Sequence, residues 1–128
     1  MIKYVTWEDV EKFISNIEDI HKRMHFTGVY GIARGGLVPA TMISYRLRIP
    51  LLMAPCSGCL IVDDITDTGN SLSHYLLNNT NENKYFTATI YYSPYSTVKP
   101  DYFMNMKQEE WIVFPWEKVI NPEGKIKS

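Results

Sequence analysis

Two stretches of this 128-residue chain carry side chains at spacings suited to chemistry on an anionic ligand. The first is Leu60-Ile61-Val62-Asp63-Asp64-Ile65-Thr66-Asp67-Thr68-Gly69-Asn70-Ser71. Its apolar start, preceded by Cys59 and closed by charge, predicts a buried strand. Asp63 and Asp64 fall where that strand ends, a turn rich in hydroxyls follows, and Asn70-Ser71 favours a helix start. Strand, loop and helix N-terminus present backbone N–H groups and the helix dipole to a phosphate. The paired carboxylates suit ribose hydroxyls or Mg²⁺, which takes oxygen ligands and keeps several waters. A sugar phosphate is the natural ligand. A calcium loop needs oxygen ligands at alternate positions, and Ile65 occupies one of them. The second stretch, Gly31-Ile32-Ala33-Arg34-Gly35-Gly36-Leu37-Val38-Pro39, is again strand, glycine loop and helix. Its glycines do not fall as a dinucleotide fingerprint. Adjacent glycines let amides approach an anion closely, and Arg34 adds a fixed fork of donors.

The elements that must position these loops follow from periodicity. Thr6 with Glu8 and Asp9 behind it predicts a helix start, and Trp7, Val10, Phe13, Ile14, Ile17 and Ile20 recur on one face. Val29 to Ile32 reads as a short buried strand, and a second helix runs from about Val38 to Arg48, stopped by Pro50. A third helix spans about Ser71 to Leu77, and Asn78 to Asn83 is a polar loop. Phe86 to Tyr92 is a strand rich in β-branched and aromatic residues. Ser93 to Asp101 is a loop, and Trp111 to Phe114 a last short strand. Alternating strands and helices predict an α/β fold with a mainly parallel sheet flanked by helices. Open parallel sheets gather ligands at the carboxyl ends of their strands, so both loops are expected on one edge.

Bulk properties narrow the class. The length fits one domain, residues 1–128. A formal net charge of −1 gives no basic footprint for nucleic acid. No apolar run approaches a membrane span, no secretory segment is recognisable at Met1, and a cytoplasmic location is expected. Both cysteines lie in Cys56-Ser57-Gly58-Cys59. A redox couple, half a zinc site and two reduced thiols all fit such a pair. With no second pair and no histidine at ligand spacing, reduced thiols with Cys59 facing the core is the favoured reading.

The run Val62 to Ser71 resembles the signature of the type I phosphoribosyltransferases, which bind 5-phosphoribosyl-1-pyrophosphate (PRPP). Arg34-Gly35-Gly36-Leu37-Val38-Pro39 is similar to the loop that holds pyrophosphate in that family. Lys3 to Trp7 and Trp111 to Glu117 resemble the two ends of the xanthine-guanine branch, so the resemblance covers most of the chain in order. It implies the type I fold with a small C-terminal hood over about 93–128. It also implies transfer of phosphoribose from PRPP to a 6-oxopurine with release of pyrophosphate. By the same carry-over, Asp63 and Asp64 hold the ribose through Mg²⁺, and Asp67 faces the base or accepts a proton. Thr66, Asp67, Thr68, Gly69, Asn70 and Ser71 cradle the 5′-phosphate, and Arg34, Gly35 and Gly36 hold the pyrophosphate. Trp111 stacks on the purine, with main-chain groups at Ile112 reading its edge. The partners implied are PRPP and a purine base or nucleotide, with homo-oligomers left open.

The chain departs from that family twice. A lysine usually precedes the proline after the strand matching Phe86 to Tyr92; here Ser93 stands there, and Lys99 or Lys107 would have to substitute. The family's long flexible lid before the acidic strand is missing, because only Leu51 to Cys59 separate Pro50 from Leu60. Such a segment is too short for a full parallel strand and its return crossover, so Leu51 to Ala54 is expected as an edge connector. The missing lid makes a binding protein that holds PRPP or a nucleotide without turnover the alternative to the enzyme.

Overall fold

The computed structural model describes residues 1–76 and 84–117, with the backbone of 119–120 and 126–127. The expected loop Asn78 to Asn83 and the end of the third helix at Leu77 lie outside the described residues. The described elements are β1 (Ile2–Tyr4), α1 (Trp7–Met24), β2 (Val29–Gly31), α2 (Leu37–Leu47), β3 (Leu60–Thr66), α3 (Asn70–Leu76), β4 (Phe86–Tyr92), β5 (Tyr102–Met106), β6 (Trp111–Val113), β7 (Val119–Ile120) and β8 (Ile126–Lys127). A single turn of 3₁₀ helix, Pro115–Glu117, follows β6.

The main sheet is parallel throughout, in the order β2-β3-β4-β5. β3 sits centrally, and its Leu60, Ile61 and Val62 are fully buried, which accounts for a continuous apolar run rather than alternation. α1 begins with a reciprocal capping box: Asp9 N donates to Thr6 Oγ1 at 3.1 Å, and Thr6 N donates to Asp9 Oδ2 at 2.9 Å. Its Val10, Phe13, Ile14 and Ile17 are buried as the stripe predicts, while Trp7 stays half exposed beside Trp116. Asn16 Nδ2 donates to the Tyr102 hydroxyl at 2.8 Å, fastening α1 to β5.

Three features differ from, or add to, the pattern expected from sequence. Tyr102–Met106, not recognised as a strand, is the fourth strand of the main sheet; it lies at the edge and is only partly buried, so its periodicity is weak. Ile2–Tyr4 is also a strand, and it pairs in parallel with Trp111–Val113 in a separate two-stranded sheet. Leu51 makes one parallel bridge to Val29, on the far side of β2 from β3. Residues 52–59 then pass under the N-terminal end of β2 and enter β3, so the segment is the expected edge connector and carries no lid.

Candidate active site

β3 delivers Asp63 and Asp64 to the carboxyl edge of the sheet, one residue beyond the Gly31–Val62 pairing with β2. Asp64 N donates to Asp63 Oδ1 and Ile65 N to Asp64 Oδ1, each at 2.8 Å, which folds both carboxylates back along the strand. Burial, followed by the like charge of Asp64, pushes the Asp63 carboxyl up to about 8, and burial also raises Asp64. Two crowded carboxylates hold surplus negative charge that a proton or a cation relieves. The donor set fits hydrated Mg²⁺: among the described residues no group of three His, Cys, Asp or Glu forms an all-protein cage. An ion that keeps its waters and shares substrate oxygens does not require one.

The raised Asp63 has a consequence for stability. The native carboxyl keeps its proton to about pH 8, whereas the unfolded one releases it near its ordinary value of 3.8. The contribution is complete below that value and is lost as pH rises through about 8. Metal-free protein is therefore expected to melt about 5 °C or more lower at pH 8 than at pH 5, with Mg²⁺ recovering part of the loss at pH 8. Thermal melts at the two pH values check this, and equal midpoints would refute it.

The second loop closes onto the first. A Cβ on Gly35 would lie 2.0 Å from Asp64 Oδ2, and one on Gly36 2.3 Å from the Val62 carbonyl oxygen. The adjacent glycines thus let the Arg34 turn rest directly against the acidic end of β3. Ile32 N donates to Val62 O at 2.9 Å and Gly36 N to Ile32 O at 2.8 Å, fixing the turn. The Ala33–Arg34 peptide is cis. Arg34 is exposed and pairs with no carboxylate among the described residues, leaving its fork of donors to an anion.

Residues Thr66 to Leu72, with Asp63, line a cavity of about 110 Å³. Thr66 is 4% exposed, and its buried hydroxyl has no hydrogen-bond partner among the described residues. An unmet buried hydroxyl costs about 1–3 kcal/mol. Gly69 sits at φ +90°, and a Cβ there would come within 2.7 Å of Ser96 Oγ. The loop after β4 is strapped onto this turn: Ser93 N donates to Thr66 O at 2.9 Å, and Thr97 N and Oγ1 both donate to Thr68 O at 3.1 Å.

Beside it lies a larger cavity of about 620 Å³, lined by Asp67, Ser93, Tyr95, Thr97, Lys107 and Gln108 among others. The two cavities share Asp67, Thr68 and Asn70. Ser93 is buried, and its hydroxyl accepts from Tyr95 N at 3.3 Å. Lys107 roots at the end of β5, its N–H bonded to Tyr92 O at 2.8 Å, and its ammonium stands 3.7 Å from Asp67 Oδ1. The structure therefore brings together Asp63, Asp64, the Thr66–Ser71 turn, Gly35, Gly36 and Ser93. Trp111 is 58% exposed on β6 and lines neither cavity, and Ile112 is buried in the core. Of the two substitute lysines, Lys107 lines the larger cavity, while Lys99 lies over the Phe103 ring. Sequence spacing does not separate them, because Lys107 gains its position from a strand whose pattern is weak.

No family model matches the chain. Curated relatives do. A xanthine-guanine phosphoribosyltransferase of Nitratidesulfovibrio vulgaris is 29% identical, over 91% of this chain and 85% of the relative. That alignment spans 141 positions, more than this chain's 128 residues, so the relative carries insertions absent here. One from Cereibacter sphaeroides is 32% identical, covering 72% of this chain and 70% of the relative. The crystal structure of a purine phosphoribosyltransferase from Pyrococcus horikoshii matches with TM-score 0.79 and 30% identity, over 92% of this chain and 95% of that one. The parallel sheet, the two loops meeting at its edge and these relatives agree: the chain belongs to the type I phosphoribosyltransferases, in their purine branch.

Proposed function

We propose that this protein transfers phosphoribose from PRPP to a 6-oxopurine, giving a nucleoside monophosphate and pyrophosphate. The observation that carries the reading is the contact of Gly35 with Asp64, which joins the Arg34 loop and the acidic strand end into one anion site. In this reading the 5′-phosphate occupies the cavity of Thr66–Leu72, at the turn between β3 and α3. Asp63 and Asp64 face the ribose hydroxyls and would hold Mg²⁺, which supplies charge neutralisation for the departing pyrophosphate. Arg34 and the Gly35 amide take the pyrophosphate, stabilising its negative charge as positive charge builds at the ribose carbon, while the Gly36 N–H, spent on Ile32 O, holds the turn. Asp67, shared by the two cavities, accepts a proton from the base or orients it.

Lys107 is the charged donor that Ser93, a neutral hydroxyl, cannot be. Its ammonium offers only donors, so it favours an exocyclic oxygen on the base and disfavours an amino group. Replacing Lys107 with Met is expected to lower kcat/KM for the preferred 6-oxopurine by about 10- to 100-fold while leaving that for adenine within about threefold. Equal losses on both bases would remove the lysine from base selection.

Pyrophosphate release from PRPP and Mg²⁺, measured with guanine, xanthine, hypoxanthine, adenine or no base, tests the function. Release stimulated by a 6-oxopurine is expected. Release stimulated by none, with PRPP still raising the melting temperature, would replace the enzyme by a binding protein.

A further inference from the structure

Cys56-Ser57-Gly58-Cys59 lies at the opposite end of β3 from the acidic pair and takes no part in the reaction proposed above. These residues form a tight turn closed by a 3.1 Å bond from Cys59 N to Cys56 O. Gly58 at φ +80° has the conformation that a type II turn requires at its third residue. The first and last Cα atoms of such a turn are within about 7 Å, a separation close to what a disulfide bridges. The turn sets the two thiols close enough to act on one another, since Cys56 adds to the rise that burial causes in the Cys59 thiol. The turn is also held by partners that do not involve sulfur. Thr27 N donates to Gly58 O at 3.1 Å, Thr27 Oγ1 to Ser57 O at 2.9 Å, and Gly58 N to Lys84 O at 2.8 Å. Closing a sulfur–sulfur bond here asks for little backbone movement.

The two thiols are differently placed. Cys56 is exposed and Cys59 is buried, at 0% exposure. We propose that Cys56 and Cys59 form a reversible dithiol–disulfide site that exchanges with low-molecular-weight disulfides. The Cys56 thiolate attacks one sulfur of the small disulfide, forming a mixed disulfide and expelling one small thiolate. Cys59 then gives its proton to solvent and attacks the Cys56 sulfur, closing the intramolecular bond and expelling the second small thiolate. The protein loses two electrons and the small disulfide gains them. Exposure sets the order: only Cys56 is reachable at first. Burial raises the Cys59 thiol and keeps it protonated until the mixed disulfide stands beside it.

Incubation of the folded protein with oxidised glutathione tests this by intact mass and free-thiol titration. The expected product has lost two hydrogens and both titratable thiols, regains them with dithiothreitol, and melts a few degrees higher. Cys59→Ser is expected to accumulate the glutathione adduct on Cys56, and Cys56→Ser to remain unmodified while folded. Wild-type protein that keeps both thiols, stops at the mixed disulfide, or forms only intermolecular dimers would overturn the assignment. The wild-type masses decide the matter even if a serine variant fails to fold. Neither readout involves pyrophosphate, so this assignment and the transferase reading fail separately.

Discussion

Asp63→Asn combined with Asp64→Asn is expected to cut base-stimulated pyrophosphate release by at least about a thousandfold, roughly 4 kcal/mol of transition-state stabilisation. The same variant is expected to make the metal-free protein more stable at pH 8. Both effects have one cause. The carboxylates are half-buried, adjacent and turned back on their own strand. Without a counter-charge they repel, and burial holds Asp63 up to about 8. Asparagine keeps the shape and removes the charge, so the fold gains what the site loses. Rates measured at saturating PRPP and Mg²⁺, beside metal-free melts at pH 5 and 8, separate the two. The wild-type pH dependence should flatten in the variant. Residual release within tenfold of wild type would show that the pair is not the ribose and Mg²⁺ site, and an unchanged melt at pH 8 would show that the charges are already neutralised.

Gly35→Ala is the second large effect. At an ordinary position the change stabilises a protein by about 0.4–1 kcal/mol, because alanine restricts the unfolded chain. Here the new methyl would stand 2.0 Å from Asp64 Oδ2, so either the Arg34 turn or the carboxylate must move. Overpacking of this kind costs about 1–3 kcal/mol. Activity is expected to fall by about a hundredfold or more, since the displaced atoms are those proposed to hold the ribose and the pyrophosphate. A double-mutant cycle isolates the contact: in an Asp64→Ala background the added methyl should cost little stability. An equal cost in both backgrounds would place the strain elsewhere.

Much of the site was legible because its signals are local. The apolar start of β3, the acids at its end and the glycine turn behind them all lie within twelve consecutive residues, and their order alone indicates a strand-edge anion site. The Thr6 cap and the α1 stripe are likewise short-range patterns. What sequence left unread depends on distant partners. β5 is a strand because β4 offers it an edge, and its half-buried side chains leave no clean alternation. β1 is three exposed residues made into a strand by β6. Gly35 and Gly36 read as room for an anion, yet the atoms that fill that space include the Asp64 carboxylate and the Val62 carbonyl, which no spacing rule foretells. Lys107 enters the cavity only because β5 exists.

The pairing of β1 with β6 has a consequence for how the protein is made. Ile2 lies beside Trp111 and Tyr4 beside Val113, and Trp111 N bonds Met1 O at 2.9 Å. The partners lie more than a hundred residues apart, and closing so long a loop carries a high entropic cost before any reward arrives. During synthesis the first strand must wait, unpaired, until more than a hundred further residues have emerged. The phosphate half of the sheet, built from neighbouring βα units, is complete well before then. A ribosome-bound chain therefore acquires its phosphate turn early and the β6 end last, and the unpaired first strand is the segment most exposed to wrong partners in the interval.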